Sequence, residues 1–257
     1  MITLTTDFGY QDPYVAEMKG VIFTINPEAK IVDVTHGVEK FDVRMGAFIL
    51  ASASQYFPKG TTHLAVVDPG VGTARRAILI ETKEGFLVGP DNGVLVLAAQ
   101  KQGIKRVFQL VNPKLMLPKV SFSFHGRDIF APAAAFLDKG VVPEEFGPEI
   151  IDPTTPSYAT VDRKGESLNG EVIHIDGFGN IITNINEKLE TDSRTLKISL
   201  PNATLQLSSI QAYAKAKPKE PLALMGSHGF LEIALNQGSA AEKFGAKIGD
   251  AVRVAPA

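Results

Sequence analysis

With 257 residues, 44% of them hydrophobic, the chain can build one large or two modest domains around a sizeable core. A net charge of −2 gives no electrostatic case for nucleic acid or an anionic membrane as partner. The absence of cysteine excludes disulfides, thiol nucleophiles and thiolate-held metals, and it fits a reducing compartment.

The N-terminus reaches Asp7 without a basic segment or an apolar core, so it does not read as a signal peptide. No apolar run approaches the ~18 residues of a membrane span, and a cytoplasmic protein with no membrane partner is expected. The first strand is a short β-branched run at 2–6, closed by Asp7-Phe8-Gly9. Tyr14, Val15, Met18, Val21 and Ile22 then recur at helical spacing, with Pro13 suited to the first turn. Residues 31–34 read as a second strand, and Met45, Phe48, Ile49, Ala53 and Tyr56 as a second helical stripe. The apolar run 63–67 is a buried strand ending on Asp68; strands at 77–80, 86–88 and 105–110 follow, and 128–137 reads as a helix with Pro132 in its first turn. This alternation predicts an α/β domain over 1–150 with a mostly parallel central sheet.

Beyond Gly147 the helical signals fade. Pro148, Pro153 and Pro156 stand among polar residues, and 151–167 reads as a linker. Short β-like runs at 170–175, 181–184, 196–200, 203–207, 222–225, 230–235 and 251–254, separated by turns, predict a smaller all-β, barrel-like domain over 168–257.

Several polar groups fall at strand ends and turns. Asp68 closes a buried strand, Pro69-Gly70 turns the chain, and Arg75 returns toward the acid. The C-terminal edge of such a strand is where α/β sheets place ligands, and glycine lets a small molecule approach the backbone. A tight turn with a surface ion pair fits the same residues. Asp7 suits a ribose, whose vicinal hydroxyls one carboxylate can accept from, or it caps a turn. Gly89-Pro90-Asp91-Asn92-Gly93 reads as a turn. In Phe124-His125-Gly126-Arg127-Asp128, Asp128 is a candidate helix cap and Arg127 its local partner. His125 can change protonation near neutral pH or be purely structural. In the second domain the turns Asp176-Gly177-Phe178-Gly179-Asn180 and Gly226-Ser227-His228-Gly229, the latter followed by Glu232, offer acids and amides for a zwitterionic amino acid and a purine edge. Tyr213 can stack on a flat ring or cover a core edge. Asp7, Asp68, His125 and Asp128 are metal-ligand types, but no metal-binding spacing appears, nor any phosphate loop, nucleophile elbow or dinucleotide fingerprint. No metal is expected.

In this order, Thr5-Thr6-Asp7-Phe8-Gly9, Val67-Asp68-Pro69-Gly70-Val71-Gly72-Thr73, Gly89-Pro90-Asp91-Asn92-Gly93, Phe124-His125-Gly126-Arg127-Asp128, Gly177-Phe178-Gly179-Asn180 and Gly226-Ser227-x-Gly229 resemble the adenosine-forming S-adenosylmethionine hydrolases. These are the hydroxide adenosyltransferases, relatives of the fluorinases and chlorinases. The resemblance runs through essentially the whole chain. It implies that S-adenosylmethionine and water give adenosine and methionine without a cofactor. It also implies a homotrimer, with substrate held between the N-terminal domain of one subunit and the C-terminal domain of its neighbour.

Residue by residue, the resemblance implies a catalytic set of Asp68, Arg75 and His125, with Asp7 on the ribose. Phe41 stands where the halogenases carry tryptophan, and with Phe8, Val71 and Phe124 it would wall the substrate. Asp176 would hold the methionine ammonium, Asn180 the adenine edge, Ser227 the carboxylate, and Tyr213 would stack on adenine; His228 replaces a halogenase arginine. Halogenases have tyrosine at the position of Asp68. A carboxylate there would repel a desolvated halide, which argues for water as nucleophile. A nucleoside sensor, a halogenase-type substitution at C5′ and a metal-dependent hydrolase are the competing readings.

Overall fold

Strand β1 (Ile2–Thr6) is buried along its whole length, and four of its five residues are β-branched, which suits a strand packed on both faces. The computed structural model describes residues 1–187 and 195–257, in two units, Met1–Thr155 and Pro156–Ala257. In the first unit β1 is followed by α1 (Tyr14–Ile25), β2 (Ile31–Thr35), α2 (Val43–Ala53), β3 (Thr61–Val66), β4 (Ala77–Thr82), β5 (Gly85–Pro90), α3 (Val96–Gln102), β6 (Ile104–Gln109) and α4 (Ala131–Asp138).

The sheet order is β2-β1-β3-β5-β4-β6. β1 pairs in parallel with β2 and β3, and β3 with β5, whereas β4 runs antiparallel to both neighbours. The sheet is therefore mixed, because only Lys83 and Glu84 separate β4 from β5 and so short a link can join only antiparallel strands. Ile2, Leu4, Leu64 and Val66 share one core with Met18 and Ile22 of α1 and with Ala131, Ala134 and Ala135 of α4. The predicted helix at 128–137 starts earlier: a π-helical turn, Gly126–Phe130, leads into α4, and Asp128 lies inside it. α3 was not foreseen.

The second unit is antiparallel: β7 (Asp162–Lys164), β8 (Ser167–Ile175), β9 (Ile181–Thr183), β10 (Thr195–Leu200), β11 (Ala203–Ser208), β12 (Pro221–Met225), β13 (Leu231–Leu235), the short α5 (Ala240–Phe244) and β14 (Ala251–Pro256). The order is β11-β10-β14-β8-β9-β13-β12, with β7 on β8. Long β8 pairs with β14 over its first half and β9 over its second. A bridge from Ser209 to Ala223 brings the end of β11 back toward β12, which nearly closes a barrel around Leu168, Val172, Ile198, Ile233 and Val252. β7 falls inside the stretch read as linker, paired with β8 across a turn at Gly165. Among the described residues no helix is long and apolar enough to cross a membrane.

Candidate active site

Because β1 and β3 are parallel neighbours, the chain leaves both at the same sheet edge, and that brings Asp7 and Asp68 to one side. Thr6 and His36 hydrogen-bond through Oγ1 and Nδ1 at 2.8 Å, and His36 Nε2 lies 3.1 Å from Asp33, which Lys19 also holds at 2.6 Å. This buried brace fixes the end of β1. Asp7 Oδ2 accepts from the Phe41 backbone N–H at 2.9 Å. Phe41 has φ +68, a left-handed conformation that costs a non-glycine residue roughly 1 kcal/mol or more. Its ring is 68% exposed, held out over the cavity beside Asp7.

After β3 the chain turns through Pro69-Gly70-Val71-Gly72. Gly72 has φ +77, and a Cβ on it would stand 2.3 Å from the Phe122 carbonyl oxygen, so only glycine lets segment 121–125 pass so close. The turn returns Arg75 to Asp68: Nε donates to both carboxylate oxygens at 3.0 Å, and Nη2 donates to Oδ2. The same Nη2 meets His125 Nδ1 at 2.7 Å. The Asp68 and Arg75 side chains are 5% and 10% exposed, and the guanidinium lies 5.2 Å from the centre of the Phe130 ring.

A guanidinium can only donate, so His125 Nδ1 is the acceptor and the neutral ring carries its proton on Nε2. Burial, and then the Arg75 charge, hold the His125 pKa below its ordinary value; Asp68, Asp128 and a backbone hydrogen bond at Ser121 work the other way. The imidazole is neutral at pH 7.

These groups face a cavity of about 540 Å³, within the range of small-molecule sites. Asp7, Phe8, Phe41, Val71 and Phe124 line it with Asp68 and His125, and Arg75 stands behind them. Phe8, Tyr14 and Phe124 pack edge to face at 5.2 to 5.7 Å and make its apolar wall. Sequence reasoning missed Tyr14 as a wall residue, although a tyrosine opening an amphipathic helix was the available signal. It also missed Asp12, Glu17 and Lys40, which carry none. Asn92 is more than a turn residue: its side-chain amide donates to the Val67 carbonyl at 2.8 Å and steadies the approach to Asp68. Asp128 does not cap a helix. Its carboxylate turns back to Ser121, outside the helix, because the π-helical start buries it completely. Among the described residues no group of acids and histidines stands close enough to hold a metal ion.

The remaining expected residues lie in the second unit. Asp176 Oδ1 accepts from the backbone N–H groups of Phe178 and Asn180 at 2.9 Å, and Oδ2 accepts from the buried Asn180 side chain at 3.0 Å. Tyr213 is not isolated. Its hydroxyl donates to Glu232, and burial, this bond and the nearby Asp176 push its pKa well up. His228 Nε2 lies 3.4 Å from the other oxygen of Glu232, which is 3% exposed. Ser227 is exposed on the turn beside it.

Fold and cavity define a small-molecule enzyme that joins an α/β unit to a β-barrel-like unit. The chain belongs to the SAM hydroxide adenosyltransferase family: the model of that family's N-terminal domain matches residues 2–147 and the model of its C-terminal domain residues 170–253. It is 40% identical to an (R)-S-adenosyl-L-methionine hydrolase of Salinispora tropica, over 98% of this chain and 97% of that one. A fluorinase of Actinopolyspora mzabensis is more distant, 29% identical over 99% and 96% of the two chains. The crystal structure of an uncharacterized conserved protein from Thermotoga maritima superposes with a TM-score of 0.86 at 38% identity, covering 99% of this chain and all of the other.

Proposed function

We propose that the protein hydrolyses S-adenosyl-L-methionine to adenosine and L-methionine. Water attacks the ribose C5′ in line; the C5′–S bond breaks and its electron pair stays on sulfur. Methionine leaves as a neutral thioether, so the reaction needs no general acid. The observation that carries this reading is a carboxylate, a guanidinium and a neutral imidazole in one hydrogen-bonded chain on a nucleoside-sized cavity.

Asp68 and His125 orient the water, Asp68 takes its proton, and Arg75 sets their charge and stabilises the developing hydroxide. Placement of the water supplies several kcal/mol, and a general base adds about 10²–10⁴-fold. Arg75 occupies His125 Nδ1, whereas the Asp68 carboxylate has lone pairs to spare after the fork, which favours Asp68 as first proton acceptor. Asp7 accepts from the ribose hydroxyls, and Phe8, Phe41, Val71 and Phe124 exclude stray water. In the homotrimer the second unit of a neighbouring subunit supplies Asp176 for the ammonium, Asn180 and Tyr213 for adenine, and Ser227 for the carboxylate.

The test is a product assay with the purified protein. Equimolar adenosine and methionine are expected, at a rate unchanged by dialysis against chelator and with no halogenated nucleoside in chloride or fluoride. Tight binding without methionine release would replace hydrolysis by sensing. We also propose a cytoplasmic homotrimer, which fractionation and light scattering test, the latter expecting three times the 27.6 kDa chain.

A further inference from the structure

The two halves of the water-handling set come from chain segments 50 residues apart, and a single 2.7 Å contact joins them. Asp68 and Arg75 are fixed to each other by their fork and the tight turn. His125 sits at the end of segment 121–125, which belongs to no strand, and enters the π-helical turn only there. Something must hold that segment to within a fraction of an ångström.

We propose that Asp128 is a positioning residue for this reaction, holding segment 121–125 so that His125 Nδ1 meets Arg75. The inference rests on the hydrolase reading of the same site. Asp128 is 0% exposed and does not line the cavity, so it does not touch substrate. Its Oδ2 accepts from both Ser121 N–H and Ser121 Oγ, at 2.8 and 2.6 Å. Ser121 Oγ in turn accepts from the Phe124 N–H at 3.1 Å, next to His125. Oδ1 accepts from Arg127 Nε at 2.7 Å, and Arg127 reaches on to Glu17 at 2.7 Å, which ties the carboxylate to α1. The Asp128 main chain joins in: its N–H donates to the Phe124 carbonyl at 3.1 Å and its carbonyl accepts from Leu117 at 2.9 Å.

A buried carboxylate without such partners would be strongly unfavourable; with them, its short charge-assisted hydrogen bonds are directional and fix where the bonded groups sit. Burial would push the Asp128 pKa up, but the hydrogen bonds of Arg127 and Ser121 outweigh it and hold the carboxyl below its ordinary value. Asp128 therefore stays ionised at neutral pH. It also lies among the charges that His125 senses, with Arg75 and Asp68; Asp7, Asp12, Glu17, Lys40 and Arg127 line the same cavity.

The test compares Asp128→Asn and Ser121→Ala with wild type in the full-length protein, reading kcat, KM for S-adenosylmethionine and the imidazole ¹⁵N resonances of His125. Asn keeps the shape but puts a donor against Ser121 or Arg127. Asp128→Asn is expected to lower kcat about 10–100-fold, as a misplacement near 1 Å does, with KM changed less than about threefold and the Nδ1 resonance shifted. Ser121→Ala keeps the carboxylate and decides the matter if Asp128→Asn fails to fold; a fall of about threefold or more in kcat is expected, with the same shift. Wild-type kcat in the folded variants, or a kcat loss with unmoved His125 resonances, overturns the proposal. Asp68→Asn and His125→Ala are run in parallel. If those two keep full turnover, the hydrolase reading itself fails; if they lose it while Asp128→Asn and Ser121→Ala do not, only the role of Asp128 falls.

Discussion

The two units hold their carboxylates in opposite ways. In the first, Asp68 is paired with a guanidinium that also reaches an imidazole 50 residues further along, and both ends of this hydrogen-bonded chain line a cavity. In the second, Asp176 accepts from its own turn within four residues, and Glu232 accepts from the neutral hydroxyl of Tyr213 with His228 close by. The first arrangement is charged and held by contacts distant in the chain, which suits a group that must act in a transition state. The second rests on neutral donors, at a turn for Asp176 and on β13 for Glu232, which suits recognition of a ligand that is already formed. The contrast predicts that substitutions in the first unit lower turnover and those in the second weaken binding.

Replacing Asp68 should give the largest effect. Asp68→Ala is expected to lower kcat about 10²–10⁴-fold with a small change in KM. It also leaves Arg75 buried without its partner, so thermal melting should report a loss on the order of 3–5 kcal/mol. Asp68→Asn keeps the shape and separates the two effects. A variant that lost stability but kept turnover would remove Asp68 from the chemistry.

His125→Ala should follow, with kcat down about 10²-fold or more. Its pH dependence has a definite sign. The folded pKa of His125 is depressed, so the neutral ring that accepts from Arg75 is intact above the ordinary value of 6.5 and is lost as pH falls through the lower folded value. The acid limb of the kcat/KM profile should therefore lie below pH 6.5 and vanish in His125→Ala. A limb above that value would mean that a different group titrates. Buried His63, its pKa pushed down to about 4 by desolvation, adds a stability loss of the same sign over the same descent. Monitoring folding and rate separately distinguishes the two.

How much of this was legible in the sequence depended on range. The strand–helix alternation was readable because apolar runs and helical stripes are local. The Asp68–Arg75 pair was readable because only seven residues separate it across a Pro-Gly turn. α3 escaped because its first turn is an unbroken apolar run, Val96, Leu97, Ala98 and Ala99, and the polar residues come only in its last turn, so no helical period shows. α5 escaped because five residues are too few to show one. The antiparallel β4–β5 pair lay in the shortness of a link that strand runs alone do not specify. His125 entered the site only through the family resemblance, and the Glu17–Arg127, Tyr213–Glu232 and Asp128–Ser121 contacts depend on how distant segments fold together.

Asp7→Ala tests the boundary of the comparison from inside the first unit. Asp7 lies at the same sheet edge as Asp68, but among the described residues it pairs with the strained Phe41 N–H and not with a cation. Losing one carboxylate on two ribose hydroxyls should weaken S-adenosylmethionine binding by about 10–100-fold, at roughly 1.5–3 kcal/mol for a charged hydrogen bond, with a smaller change in kcat. Calorimetry that found an unchanged dissociation constant would take Asp7 out of the ribose site.

The smallest effect is expected at Glu232→Gln. The amide keeps the volume and one acceptor for Tyr213 but loses the charge beside His228. If the second unit only recognises the ligand, ground state and transition state lose the same contact, and KM should rise about 3–10-fold while kcat stays put. Equal falls in kcat and kcat/KM would instead mean that the Tyr213–Glu232–His228 cluster changes its interaction as the C5′–S bond breaks. Chemistry and binding would then no longer divide along the line between the two kinds of carboxylate.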